Sequence, residues 1–266
     1  MFASALLSIA LLATTAFAAP PSRSARMESR LSRRREGAHF SRPNQRLESA
    51  NLIGGNVTHV DYSSNWAGGV LSSASGTYKS VTGTFVVPTP KTPSGGSGSY
   101  SASAWVGIDG DSCETAILQT GVDFTIDSGS VSYDAWYEWY PDSAHDFSGI
   151  PIKAGDTIKV TVTATSTKAG SAVIENVTTG KTVSKSLSSS AALCEKDAEW
   201  IVEDFDEGGT QVPFANFGTV TFTGASATTG SGSVGPSGSD ILDIKQSGTV
   251  LTSVSTGSSS VTISYV

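Results

Sequence analysis

After Arg46 the chain contains no arginine. From Asp61 onward nine lysines face 21 acids, a net of −12, which excludes a basic nucleic-acid-binding face and leaves few partners for strong ion pairs. Cysteine occurs only at Cys113 and Cys194, too few for a disulfide-dense scaffold or a cysteine-rich metal site. In an oxidising compartment two cysteines suggest a single bridge; it would close a loop of about 80 residues, worth roughly 4–5 kcal/mol in the chain-entropy model. Histidine is confined to His39, His59 and His145, with neither H-E-x-x-H nor any other metal-ligand spacing. No G-x-S-x-G elbow occurs. These absences disfavour metal-dependent and Ser–His hydrolysis, and a bridged pair of cysteines leaves no thiol nucleophile. Long apolar runs are also missing: the longest, Ala5–Ala13, is too short to span a bilayer. No segment carries a convincing apolar stripe over three helical turns.

What is present divides the chain in three. Residues 1–18 end in Ala16-Phe17-Ala18 behind the apolar run, which fits a cleavable secretory signal, although no early lysine or arginine precedes it. Residues 19–60, an approximate boundary, hold all eight arginines against three acids, a net of +5. This Pro/Ser/Arg-rich stretch is poor core material; a nucleic-acid-binding arm is disfavoured behind a secretory signal, and the stretch reads as a pro-segment attracted to the acidic remainder, or as a leader with no docking role. Residues 61–266 form the folded domain. Asn56-Val57-Thr58 and Asn176-Val177-Thr178 are N-glycosylation sequons, with Asn56 and Asn176 as acceptors, consistent with secretion.

From Asp61 the text is rich in Ser, Thr, Gly and Val, and short alternating runs are separated by turn residues. Asp156–Ala164 alternates most cleanly; Thr82–Val87, Val131–Tyr140, Thr219–Thr223 and Val261–Val266 behave similarly. The expected architecture is all-β, a sandwich of two antiparallel sheets. Thr89–Ser103 and Gly224–Ser239 read as flexible loops.

Three stretches carry candidate chemistry. In Ala116–Asp123, Ile117, Gln119, Gly121 and Asp123 share one face of a strand. An amide among apolar neighbours needs hydrogen-bond partners or a chemical role, and pattern alone favours a core glutamine bonded to backbone. Val131–Tyr140 places Asp134, Trp136, Glu138 and Tyr140 on one face, a groove floor suited to peptide or sugar, or an exposed edge with solvated acids. In Glu199–Phe205, Glu203 lies between Ile201 and Phe205; a desolvated carboxyl there would have a raised pKa suited to a general base, while a surface acid on a mixed strand is the ordinary alternative. Asp127-Ser128-Gly129 matches the loop of pepsin-like proteases, but no second copy exists.

Together, SSNWAGGV (Ser63–Val70), TFVVP (Thr84–Pro88), AWVGIDGDSCETAILQTGVD (Ala104–Asp123), YDAWYEWYP (Tyr133–Pro141), DFSGIPIKAGD (Asp146–Asp156), ENVTTGKTVSKS (Glu175–Ser186), AEWIVEDF (Ala198–Phe205) and VPFANF (Val212–Phe217) resemble the glutamic peptidases, or eqolisins. The resemblance implies a secreted, pepstatin-insensitive acid endopeptidase on a lectin- and glucanase-like jelly roll. It implies Gln119 and Glu203 as the catalytic pair. By motif position Trp66, Trp105, Asp109, Asp123, Asp134, Glu138 and Tyr140 fall in the substrate cleft, and Cys113–Cys194 matches a family bridge. Further disulfides of some relatives are missing here. The implied partners are protein or peptide substrates and the chain's own pro-segment as inhibitor; no metal, cofactor, nucleic acid or membrane is implied, and a monomer is expected. Two rival readings remain at this point: a β-sandwich glycoside hydrolase using Glu138 and Glu203, and a non-catalytic lectin-like module.

Overall fold

A computed structural model describes residues 39–47 and 60–266. The signal-like residues 1–18, the Arg33–Arg35 run and Asn56 lie outside them. Among the described residues there are twenty strands and no helix.

Two large sheets face each other. The front sheet runs β18 (Thr249–Val250), β17 (Asp240–Gln246), β3 (Trp66–Ser72), β12 (Asp197–Glu203), β5 (Ser99–Ile108), β6 (Ile117–Asp127), β7 (Ser130–Tyr140), β8 (His145–Asp146), and β2 (Val60–Ser63) joins it parallel to β17. The back sheet runs β11 (Lys181–Ser188), β10 (Ala169–Asn176), β9 (Thr157–Ser166), β4 (Tyr78–Val86), β15 (Thr219–Thr229), β20 (Ser260–Tyr265), β19 (Thr252–Thr256), with β16 (Gly232–Val234) paired to β15. A third, small sheet joins β1 (His39–Phe40) to β13 (Asp206–Glu207) and β14 (Thr210–Gln211).

Strand alternation decides what each face meets. On β12 all seven residues are buried. Ala198, Trp200 and Val202 point into the sandwich with Val81, Val160, Phe222 and Ile263. The Trp200 indole N–H donates to the Thr82 carbonyl at 2.8 Å, so this large ring is buried without an unpaired donor. Ile201 faces the opposite way, into a separate cluster with Trp66, Trp105, Ile117 and Trp136. On β7, Ala135 and Trp139 join the inner core while Trp136 and Tyr140 join that outer cluster, the division the alternation implies. The outer cluster is the floor of a cleft.

Two expected loops are shorter than the composition suggests. β5 begins at Ser99, and Lys91 exchanges backbone hydrogen bonds with Asn216, so Thr89–Ser103 is partly strand and partly pinned. Most of Gly224–Ser239 belongs to β15 and β16. The pairing of β15 with β4 shifts register between Thr223 and Ser226, where Gly224 takes φ 58°. A bulge there hides the alternation from a period-2 reading while Ala225 and Ala227 still reach the core. Asp127-Ser128-Gly129 is the β6–β7 turn, with Ser128 and Gly129 both at positive φ.

Candidate active site

Strand register lays the cleft out as three rows. One runs Val70, Glu199, Gly107, Gln119, Glu138; the next Gly68, Ile201, Trp105, Gly121, Trp136; the third Trp66, Glu203, Ser103, Asp123, Asp134. Gly121 is required by the middle row. A Cβ there would lie 2.4 Å from the Ala104 carbonyl and from Trp105 Cβ, so only glycine lets the Trp105 ring rest between the outer rows.

Gln119 and Glu203 are both fully buried. Both meet Ser41 of segment 39–47, Gln119 at its carbonyl and Glu203 beside its side chain. Gln119 Nε2 donates to the Ser41 carbonyl at 2.8 Å. The Ser41 N–H donates to Glu138 Oε2 at 3.0 Å. Burial pushes the Glu203 carboxyl up to about 8, against the lowering influence of the Ser41, Trp105 and Trp66 side chains. The Trp105 indole N–H donates to Glu203 Oε2 at 2.9 Å. Trp66 meets Trp105 edge-on at 4.9 Å and donates its own indole N–H to the Arg42 carbonyl at 3.0 Å.

The rest of segment 39–47 follows the cleft. Buried His39 has Nε2 3.2 Å from Asp123 Oδ2, and its ring centroid lies 4.3 Å from that of Phe205 and 5.9 Å from that of Trp136. Arg42 pairs with Asp206, and Arg46 with Asp61 and Asp111. Asn44 N–H donates to the Gly110 carbonyl at 2.9 Å.

Of the residues assigned to the cleft from motif position, Trp66, Trp105, Asp123 and Glu138 touch this segment or the Gln119–Glu203 pair. Asp134 stands in register beside Asp123, and half-buried Tyr140 packs against the floor opposite Ile117. Asp109 has another role. Its two oxygens accept backbone N–H groups from Cys194, Glu195, Lys196 and Asp197 at 2.7–3.2 Å, so the carboxyl ties the β5 end to the loop entering β12. Desolvation raises its pKa despite these donors. The Cys113–Cys194 disulfide closes the same junction. Glu203 ends its strand, so Phe205 lies beyond β12, although its ring still meets His39 on the cleft side. Asn176 is fully buried, and Nδ2, the atom a glycan would take, donates to Pro151 O and Asp156 Oδ2, bonds that a glycan would have to displace. Trp136 lies on the face that alternation marks as a groove floor, as expected. Asn65, His39 and Ser41 are not apparent as site residues from sequence: Asn65 lies inside a quoted motif, and His39 and Ser41 lie in a segment whose composition argues only against a core.

A family profile described as the Peptidase A4 family matches residues 64–265. Aspergillopepsin-2 of Aspergillus niger is 50% identical over 283 aligned positions, covering 99% of each chain. Scytalidopepsin B of Scytalidium lignicola is 42% identical over 272 positions, covering 98% of each. The crystal structure of scytalido-glutamic peptidase with a transition state analog inhibitor superposes with a TM-score of 0.70 at 45% identity, covering 76% of this chain and 98% of that one. Neither the glycoside-hydrolase nor the lectin reading survives these likenesses. On this profile match and these identities, the chain belongs to the peptidase A4 family of glutamic peptidases and is a peptide-bond hydrolase.

Proposed function

We propose that the protein is a secreted acid endopeptidase in which Glu203 activates water and Gln119 stabilises the oxyanion. The observation that carries this is that both buried side chains meet Ser41, Gln119 at its carbonyl and Glu203 beside its side chain. In this reading the ionised Glu203 carboxylate removes a proton from a water as its oxygen attacks the substrate carbonyl carbon. The C=O electrons move onto oxygen, where Gln119 Nε2–H meets the developing charge; such a donor is worth roughly 3–4 kcal/mol in the transition state. Protonated Glu203 then gives its proton to the leaving nitrogen as the C–N bond breaks. Trp105 steadies the charged form of Glu203 with its indole N–H.

Residues 19–60 then act as a pro-segment, and residues 39–47 as its inhibitory part, in two ways. They fill the cleft along the path of a substrate. They also bury Glu203, whose carboxyl, held up to about 8, stays protonated and unable to act as a base throughout the acid range. Departure of the segment lets water back to Glu203 and lowers that value. Acid cleavage of a denatured protein, measured with and without pepstatin on Gln119→Ala and Glu203→Gln enzymes freed of residues 1–59, tests the chemistry. Both variants are expected to lose activity by roughly 10²-fold or more, and pepstatin is expected to change nothing. Retained activity in either variant would refute the assignment.

A further inference from the structure

If the Ser41 carbonyl sits where Gln119 meets an oxyanion, the bond that follows it is the aligned bond, and Arg42 onward traces the leaving side. One side chain dominates that side. Asn65 is 2% exposed and uses both ends of its amide on the bound backbone. Its Nδ2 lies 3.4 Å from the Arg42 carbonyl and 3.2 Å from the Pro43 carbonyl. Its Oδ1 accepts the Gln45 N–H at 2.9 Å. None of these contacts involves a side chain of the segment.

The amide is also held in place independently of the segment. The Ser63 hydroxyl donates to Asn65 Oδ1 at 3.0 Å and accepts the Asn65 and Trp66 backbone N–H groups. The Asn65 carbonyl accepts the Asp204 N–H at 2.9 Å, one residue beyond Glu203. Gln211 and Gln246 both donate to the neighbouring Ser64 carbonyl. An acceptor–donor pair fixed this way, beside the general base, is preorganised to read peptide backbone whatever its side chains.

We propose that Asn65 is a substrate-positioning residue that reads the backbone of the first four residues after the cleaved bond. Its effect grows with the length of chain on the leaving side. Because the recognised groups are main-chain carbonyls and an N–H, it gives affinity and register without side-chain selectivity. The proposal rests on the catalytic reading above.

The test compares two peptides in the enzyme freed of residues 1–59. They are identical up to the cleaved bond; one ends in an amide after a single leaving-side residue, the other extends four residues. Wild type is expected to cleave the longer peptide better, and Asn65→Ala to erase that gain, losing roughly tenfold or more in kcat/KM on the long peptide and under about threefold on the short one. Asn65→Asp supplies a control for packing. While protonated, its carboxyl both donates and accepts and keeps the length gain in acid; once ionised it cannot donate to the carbonyls and the gain disappears as pH rises. Equal losses on both peptides, a length gain that survives in Asn65→Ala, or an Asn65→Asp profile no different from wild type would overturn the proposal. Gln119→Ala, run beside these, abolishes cleavage of both peptides if the catalytic reading holds, so the two failures are distinguishable.

Discussion

At the scale of single residues, burial sets the chemistry of the carboxyls. Glu203, Glu199 and Asp204 are all shifted upward, in each case mainly by desolvation; Glu203 and Asp204 reach about 8. For Glu203 the indole of Trp105 works in the opposite direction, because a donor to the carboxylate favours the charged form. Trp105→Phe keeps most of the packing on Trp66 and removes that donor. The base is then harder to ionise, and the acid limb of the kcat/KM profile is expected to move to higher pH, with a loss of roughly tenfold at the acid end. A limb that stays in place would show that the Trp105 N–H does not support the base. The identity of the pair was legible only through the resemblance. Alternation placed Gln119 on a face with Ile117, Gly121 and Asp123, but it could not distinguish a functional amide from a satisfied core glutamine. The partner the structure gives it is the Ser41 carbonyl, 78 residues away in sequence, which no strand pattern announces. Asp109 shows the reverse failure. Its Gly/Asp-rich setting matched a cleft residue by motif, while its oxygens are committed to four backbone N–H groups that no local pattern announces.

At the scale of elements, strand alternation carried most of the fold. The two faces of β9 were readable because apolar and polar residues strictly alternate there, and those of β7 because its two acids, Asp134 and Glu138, fall on one face. β15 was only half legible, since a bulge breaks its period, and β5 was masked at its start by a Pro/Gly-rich approach. The docking of segment 39–47 was anticipated only as charge attraction. Its contacts are more varied: backbone hydrogen bonds to Gln119, Glu138 and Asn65, ring packing of His39, and ion pairs of Arg42 and Arg46. These terms respond to pH in opposite senses. If docking is what raises Glu203, proton uptake by Glu203 favours docking, so affinity rises as pH falls from about 8 towards the ordinary glutamate value of about 4.5. The ion pairs of Arg42 and Arg46 act in the opposite sense, because strong acid weakens carboxylate ion pairs in general. A synthetic peptide of residues 39–47, titrated against the enzyme lacking residues 1–59, is therefore expected to bind best at moderately acid pH and less well at either side. Arg46→Ala in that peptide is expected to weaken binding by about tenfold at most, since Arg46 is 36% exposed, and to flatten only the acid flank. Affinity that rises steadily from acid to neutral pH would show that ion pairing alone governs docking.

At the scale of the whole molecule, the scarcity of arginine becomes a statement about where the fold is stable. Among the described residues few ion pairs exist to be lost in acid, and the back sheet's outer face is dressed with hydroxyls that do not titrate in this range, such as Ser80 with Thr163 and Thr82 with Thr161. The buried carboxyls act oppositely to the usual salt-bridged acids. Glu199 is fully buried beside Asp197, Asp109 and Asp111, and desolvation first, then these charges, hold it protonated. A carboxyl raised in the folded state contributes stability that is complete below its unfolded value near 4.5 and is lost as pH climbs through the folded value. For Glu203, raised to about 8 in the docked form, full ionisation would cost on the order of 4–5 kcal/mol as an upper bound. The net charge of −12 beyond Asp61 adds self-repulsion at neutral pH. Urea unfolding of the full chain is expected to show its highest midpoint in acid and a steady fall towards neutrality, and Glu199→Gln is expected to reduce that fall. A midpoint that rises from pH 4 to pH 7 would contradict this reading of the buried acids.

The central claim is that one amide and one carboxyl act on the same peptide bond. Its most direct test is single-turnover hydrolysis of one defined peptide at about pH 3–4, with pepstatin present, by wild type, Gln119→Ala, Glu203→Gln and the double variant. Residues that act as a unit give non-additive losses, so the double variant is expected to be little worse than Glu203→Gln alone, with binding of the peptide largely kept in all four. Cleavage by Glu203→Gln at a rate near wild type, or losses that simply multiply in the double variant, would contradict it.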